Sequence, residues 1–311
     1  MRLQGLHHIT MITGDARRNV EFYADVLGLR LVKKTVNFDA PESYHLYFGD
    51  EQGAPGSILT WFEFPRATPG RPGPGTIHTI QLGVASQDAF GFWRDRLVAR
   101  GYDSVLTANS LRFLDYDGLR FELVVRDPAN APLRAAHPDV PEVHAITGVE
   151  GARAYSPYAF VEERLLTETL GFEQRQAGEY RLAGERRSFR WGLDLPPEQS
   201  AQQGAGTVHH IAWATRDDEQ LAWQKRIRAA GGYVTDVRDR DYFRSIYFRE
   251  SHGVLFEIAT LSPGFAVDED PARLGEQLRI PQMHAQLREH LERTLTPLVN
   301  PRSTQRRQVT R

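Results

Sequence analysis

The chain contains no cysteine. That absence excludes disulfide frameworks, thiolate zinc sites, iron–sulfur clusters and thiol nucleophiles together, so any bound metal must draw on His, Asp or Glu. Long apolar runs are missing as well. No stretch of 18 apolar residues occurs, and the opening MRLQGLHHIT lacks the apolar segment of a signal peptide. The expectation is a soluble, cytoplasmic protein with no membrane partner. An excess of either charge is also absent: 38 Lys and Arg against 40 Asp and Glu leave a net charge of −2. Nucleic-acid binders and polybasic membrane-surface proteins need a clear cationic excess, so both classes are disfavoured. What remains over 311 residues is 41% hydrophobic and 25% charged, an ordinary globular composition with room for two sizeable cores.

What is present is a repeat. Four segments begin alike: LHHITMITGD from Leu6, IHTIQLGVAS from Ile77, VHAITGVEGA from Val143 and VHHIAWATRD from Val208. Each is a short β-rich run with a His near its start. The aligned histidines are His8, His78, His144 and His210, spaced evenly along the chain (78 − 8 = 70, 144 − 78 = 66, 210 − 144 = 66). Behind each run stands a polar residue suited to cap a helix: Asp15, Ser86, Ser156 and Asp217. The first helix shows apolar Val20, Tyr23, Ala24 and Leu27 at helical spacing, and Gly28, Gly101, Gly171 and Gly231 stand where helices end. Two or three strands follow, predicted at 29–38, 44–48 and 57–64 in the first unit and at 233–237, 245–249 and 254–260 in the fourth. The fold class is therefore α+β: four βαβββ modules pairing into two open-barrel domains.

Pro- and Gly-rich linkers fall between the modules, at 67–75, 126–142 and 194–206. They set an N-terminal domain at 1–130 (modules 5–65 and 76–126) and a C-terminal domain at 142–262 (modules 142–195 and 207–261). A tail at 263–311 carries a predicted helix over 283–295, with Leu287, Leu291 and Leu295 on one face. Its last stretch, 301–311, has four Arg and no acid and reads as a solvated terminus.

The last strand of a module supplies an acid. Module four ends in Gly253-Val254-Leu255-Phe256-Glu257 and module two in Gly118-Leu119-Arg120-Phe121-Glu122, both Gly-x-x-Phe-Glu. In module one Thr60 takes the acid's place, and Glu63, three residues on, falls on the opposite strand face. A Glu among Leu255, Phe256 and Ile258 belongs to a buried strand, where a carboxylate is costly unless paired or bound to a cation. His210 and Glu257 thus read as metal ligands. Two His and one carboxylate form the facial triad typical of non-haem Fe(II) sites, although Zn and Mn accept the same donors. A four-ligand site would need a second acid at Thr60. The third ligand depends on module pairing. It is His8 if module one closes against module four, and His144 if modules pair in chain order. His78, Glu122 and His144 would form another triad if modules two and three pair.

The βαβββ repeat, with His on its first strand and Glu on its last, resembles the vicinal oxygen chelate superfamily of glyoxalase I, fosfomycin- and bleomycin-resistance proteins and extradiol dioxygenases. More narrowly the chain is similar to the hydroquinone-type ring-cleaving dioxygenases. The segments LHHITMITGDARRNVEFY, KKTVNFDAPESYHLYFGDEQGAPGSILTWFEFP, TVHHIAWAT and DRDYFRSIYFRESHGVLFEIAT carry this likeness. The resemblance implies Fe(II) held by His8, His210 and Glu257, with modules one and four closing around it. It also implies catalytic roles for Arg240, Tyr247 and His209, the histidine before His210, and matches His7 as the histidine before His8. Arg240 would stabilise anionic intermediates, and Tyr247 would donate a proton or fix a substrate hydroxyl. In a regular strand His209 would point away from His210, and only a bend would bring it back. The partners implied are a small aromatic substrate and O2, and a homo-oligomer is left open. The rival readings are a catechol extradiol dioxygenase, a glyoxalase-like metal-dependent isomerase or lyase, and a binding protein for a small aromatic compound.

Overall fold

A computed structural model describes residues 1–157 and 163–302. Module one comprises β1 (Leu6–Thr13), helix α1 (Ala16–Val20, continuing as a π-helix over Glu21–Val26), β2 (Arg30–Val36), β3 (Tyr44–Gly49) and β4 (Ile58–Glu63). Module two comprises β5 (Ile77–Val84), α2 (Asp88–Ala99), β6 (Ser104–Leu106), β7 (Ser110–Leu114) and β8 (Arg120–Val125). Module three has β9 (Val149–Tyr155), a π-helix over Leu165–Leu170, β10 (Glu173–Gln176), β11 (Glu179–Ala183) and β12 (Ser188–Asp194). Module four has β13 (Thr207–Thr215), α3 (Gln220–Ala229), β14 (Arg238–Asp239), β15 (Arg244–Arg249) and β16 (Leu255–Thr260).

Sheet pairing does not follow chain order. One nine-stranded sheet, β14-β15-β16-β13-β1-β4-β3-β2-β17, joins modules one and four, with the tail strand β17 (Leu278–Arg279) at its edge. An eight-stranded sheet, β10-β11-β12-β9-β5-β8-β7-β6, joins modules three and two. Each sequence half, 1–130 and 142–262, therefore gives one module to each sheet. The sheets pack through aromatic side chains. Trp213 of β13, fully buried, meets Trp191, Phe189 and Phe172 of module three. On the other side Tyr23 lies 3.8 Å from Trp61 and 5.9 Å from Phe121, ring centre to ring centre. Burying these rings supplies much of the apolar contact that holds modules of different sheets together.

Local rules explain most elements. Asp15 caps α1, its carboxylate accepting the N–H of Arg17 (2.9 Å) and Arg18 (3.1 Å). Gly171 ends the third module's helix in the left-handed region at φ +80°, where a Cβ would be strained. Other expectations shift. Helix α2 is capped at Gln87, and Ser86 contributes only its carbonyl, which accepts the Ala89 N–H. The third module's π-helix over Leu165–Leu170 is capped at Arg164 without a side-chain hydrogen bond, the Ser156 hydroxyl meets His252, and 158–162, which follow the expected cap, lie outside the described residues. The strand expected over 233–237 is replaced by a loop. Its Thr235 carbonyl is taken by the Gln224 side chain, and the regular ladder on that side of β15 is confined to the short β14.

The tail helix splits into a 3-10 turn over Gln282–Leu287 and α4 (Arg288–Thr294), with Leu291 and Leu295 buried. The tail covers the edge of the first sheet. Lys33, fully buried on β2, bonds Asp268 and Glu269 there, and the Lys34 ammonium donates to the Leu298 carbonyl. The solvated terminus expected at 301–311 lies outside the described residues from position 303 onward. Among the described residues no helix is long and apolar enough to cross a membrane.

Candidate metal centre

The site is built on neighbouring strands of the first sheet. His8 of β1 is opposite Ala212 of β13, Ala212 is beside Glu257 of β16, and Glu257 is opposite Tyr247 of β15. One row on one face thus carries His8, Ala212, Glu257 and Tyr247, with His210 two residues along from Ala212 on the same face. The methyl group of Ala212 leaves room for the larger side chains to converge above it.

They do converge. The Nε2 atoms of His8 and His210 lie 3.2 Å apart. Glu257 Oε2 lies 2.9 Å from His210 Nε2 and 3.5 Å from His8 Nε2, and no donor is aligned with it for a hydrogen bond. All three residues are buried, Glu257 completely. Adjacent ligands of an octahedral ion lie about 3 Å apart when each bond is about 2.1 Å, so the spacing of these donors suits one face of such an ion. A fully buried carboxylate with an unpartnered oxygen is the feature that a bound cation would satisfy.

Protonation agrees with that use. Burial works against the Glu257 charge, but the His8 and His210 imidazoles outweigh it and hold the group well below the usual carboxylate range. Burial lowers the His210 pKa, with Glu257 opposing, so its imidazole is neutral near pH 7. A divalent ion needs these forms. The other Glu257 oxygen, Oε1, accepts the Ser245 hydroxyl. Removing an outer partner of a ligand commonly weakens metal binding about 10- to 100-fold. Ser245→Ala is expected to weaken the binding of a divalent ion by that factor, read by competition with a chelator; affinity equal to that of the unaltered chain would show the bond to be idle.

The preceding histidines reach the same side because the strands bulge. Between Leu6 and His8, β1 has one residue more than its partner, and β13 has one more between Val208 and His210. The extra residues are His7 and His209. A bulge turns a side chain that the pleat would send to the opposite face. His7 Nδ1 lies 2.8 Å from His8 Nδ1, and His209 Nδ1 lies 2.8 Å from His210 Nδ1. Burial, then the adjacent imidazole, lowers His7 and His209 to about 3. Neutral, each can accept its neighbour's Nδ1–H and leave the Nε2 lone pair facing the cluster.

Arg240 and Tyr247 stand at the rim. Arg240 Nε donates to the Tyr247 hydroxyl (3.3 Å) and Nη2 to Asp39 (3.2 Å). Burial opposes the Arg240 charge, yet Tyr247 and Asp39 keep its pKa raised. Burial and then Glu257 push the Tyr247 phenol up, so it remains a donor at neutral pH.

His45, Tyr47 and Phe62 of module one complete the lining, and sequence reasoning did not single them out. Thr60, at the position of the missing acid, is 3.0 Å from the Thr10 hydroxyl and 2.8 Å from His45 Nε2, while His45 Nδ1 meets the Tyr47 hydroxyl at 2.9 Å. The inward alternation of His45 and Tyr47 in β3 was the available signal. Phe62 and Phe243 add aromatic walls to a cavity of about 30 Å³ that also contacts Asn37, Phe38 and Asp39. Room for an aromatic ring therefore requires rim side chains to swing out.

The even histidine spacing misaligned modules two and three. Register gives the true counterparts. In the second sheet the bulge residues are His78 on β5 and Glu150 on β9, so Thr79 and Gly151 hold the places of His210 and His8. His144 lies in the loop before β9, its ring 4.9 Å from that of Phe92. His78 pairs with Asp194, and Glu122 bonds Gln81, Ser110 and Arg112. Among the described residues His78, Glu122 and His144 form no common cluster, and His144 is not part of the group at His210 and Glu257.

Known proteins match the chain in sequence and in fold. The model of the Glyoxalase/Bleomycin resistance protein/Dioxygenase superfamily matches residues 5–129 and 164–258. MhqO of Bacillus subtilis, whose name assigns it provisionally to the ring-cleaving dioxygenases, is 43% identical over 305 residues, covering 95% of this chain and 97% of its own. A chlorohydroquinone/hydroquinone 1,2-dioxygenase of Sphingobium indicum is 31% identical over 322 residues, covering 96% and 98%. Among solved structures, a Bacillus subtilis protein provisionally titled a dioxygenase superposes with a TM-score of 0.86 at 40% identity, over 96% of this chain and 98% of that one. Maize glyoxalase I shares the fold alone, with a TM-score of 0.58 at 14% identity over 82% and 92%. By sequence, by fold and by full-length relatives, the chain belongs to the Glyoxalase/Bleomycin resistance protein/Dioxygenase superfamily.

Proposed function

We propose that the protein is an Fe(II)-dependent dioxygenase that opens the ring of hydroquinone-type compounds, with His8, His210 and Glu257 as its metal ligands. One observation carries this reading: two histidines and one carboxylate converge in a buried site whose fourth acidic position is Thr60, tied up with Thr10 and His45. Three protein ligands on one face leave the opposite face for reactants, as ring-cleaving chemistry with O2 requires. The names of the full-length relatives favour the same class.

When bound, iron would act as a Lewis acid toward a phenolic oxygen and supply the redox chemistry that uses O2. The protein's own groups do the rest. Phe62, Phe243 and Phe38 pack an aromatic ring and exclude water. Arg240, cationic at the rim, stabilises negative charge that develops on substrate oxygen. Tyr247, kept protonated, holds a substrate hydroxyl or gives its proton to a departing anion. His7 and His209 position the ligand rings through their Nδ1 contacts.

The test is oxygen uptake by anaerobically iron-loaded protein with a panel of hydroquinones and catechols. Hydroquinones should be turned over faster. A wide preference for catechol would move the protein to the catechol extradiol class, and no oxygen uptake with either series would favour an isomerase, a lyase or a binding protein.

A further inference from the structure

A second buried group of ligand atoms lies away from this centre. Glu163, Glu250 and His252 bring one carboxylate oxygen each and an imidazole nitrogen within 4.8 Å of one another. Their exposures are 4%, 3% and 4%. Glu250 and His252 occupy the turn between β15 and β16, the hairpin that carries Tyr247 and Glu257. Glu163 comes from module three, just before its π-helix. The group therefore joins the two sheets at a point where no strand pairing does.

Each member is held in place. Glu250 accepts the backbone N–H of His252 (2.9 Å) and of Val254 (2.8 Å), which fixes its carboxylate in the turn. His252 Nδ1 meets the hydroxyl of Ser156, itself fully buried, and Nε2 is directed at Glu163 Oε1. A polar partner on one ring nitrogen, with the other facing carboxylates, is how metal-binding histidines are oriented. The remaining oxygen, Glu163 Oε2, is buried without a hydrogen-bond partner. Two carboxylates side by side in a dry pocket repel each other, and burial followed by the Glu163 charge raises the Glu250 pKa. His252 shows the same field from the other side: burial opposes its charge, but the two glutamates raise its pKa. The pocket is set up for positive charge. A proton on His252 offsets one carboxylate, whereas a divalent ion offsets both.

We infer that Glu163, Glu250 and His252 form a second, structural site for a divalent cation, distinct from the iron centre. One imidazole and two carboxylates suit Mn2+ or Zn2+. The ion clamps module three to the β15–β16 turn and so steadies the hairpin that presents Glu257 and Tyr247.

Equilibrium dialysis of the full chain against Mn2+ tests this, with His210→Ala used to disable the first centre. Two equivalents should bind to the unaltered chain, one to His210→Ala, one to Glu163→Gln and none to the double variant. Glu163→Gln is isosteric, and circular dichroism checks that it folds. Heating provides an independent reading: Mn2+ should raise the melting temperature of His210→Ala but not that of His210→Ala/His252→Asn. The site is refuted if His210→Ala binds no Mn2+, or if adding Glu163→Gln leaves its stoichiometry and its Mn2+-dependent melting shift unchanged. Because the refuting readings are taken with the first centre disabled, failure here leaves the proposed dioxygenase activity untouched, and failure of that activity leaves this site untouched.

Discussion

His210→Ala is expected to lose iron and turnover together. His210 Nε2 lies 2.9 Å from Glu257 Oε2 and 3.2 Å from His8 Nε2, closer to each than those two atoms are to one another at 3.5 Å. Its removal leaves one imidazole and one carboxylate, and two donors hold a labile divalent ion poorly. The effect should exceed the roughly 10- to 100-fold loss typical of an outer-shell change. Anaerobic iron titration followed by oxygen uptake measures both quantities on one sample. Full iron occupancy with normal turnover would refute the assignment. His144→Ala serves as the contrast: its ring rests on Phe92 in a loop outside the cluster, so iron content and turnover should both be retained.

Arg240→Ala and Tyr247→Phe should do the opposite, sparing iron and harming catalysis. Neither side chain is among the three converging donors, yet both line the same cavity. A catechol can chelate iron through two oxygens. A hydroquinone presents one oxygen to the metal, and its other hydroxyl, across the ring, must be met by protein groups. Truncating such a partner costs about 1–3 kcal/mol, or roughly 5- to 150-fold in kcat/KM. Tyr247→Phe keeps the ring that packs beside His210, so any loss belongs to the hydroxyl. Both variants retaining normal kinetics on hydroquinones would remove these residues from the mechanism while leaving the metal assignment standing.

The three converging residues were legible in the sequence because burial and repetition mark them. The Gly-x-x-Phe-Glu strand announces a carboxylate in an apolar setting, and the HH doublets at 7–8 and 209–210 single out modules one and four. The absence of cysteine limits the donors to His, Asp and Glu, and Thr60 removes the fourth acidic position. The modules themselves follow from local rules, such as the Asp15 cap and the glycines that end helices. His45 and Tyr47 were marked only by their alternation in β3, and Phe62 and Phe243 were not legible, since scattered aromatics look the same in any core.

Sequence by itself determined the four-module α+β organisation, the kind of metal donors available, and His210 with Glu257 as a pair within one module. Tertiary structure decided which modules meet. Which histidine joins His210 and Glu257 turned on whether β13 pairs with β1 or with β9, and strand partners distant in the chain are chosen by burial of a whole face, which no local motif encodes. Register also decided what an even spacing of histidines could not. A bulge adds a residue without altering the repeat's appearance, so His78 falls at the place of His209 and not of His210, and His144 misses its strand altogether. The same bulges brought His7 and His209 to the metal side of the sheet, where a regular pleat would have turned them away.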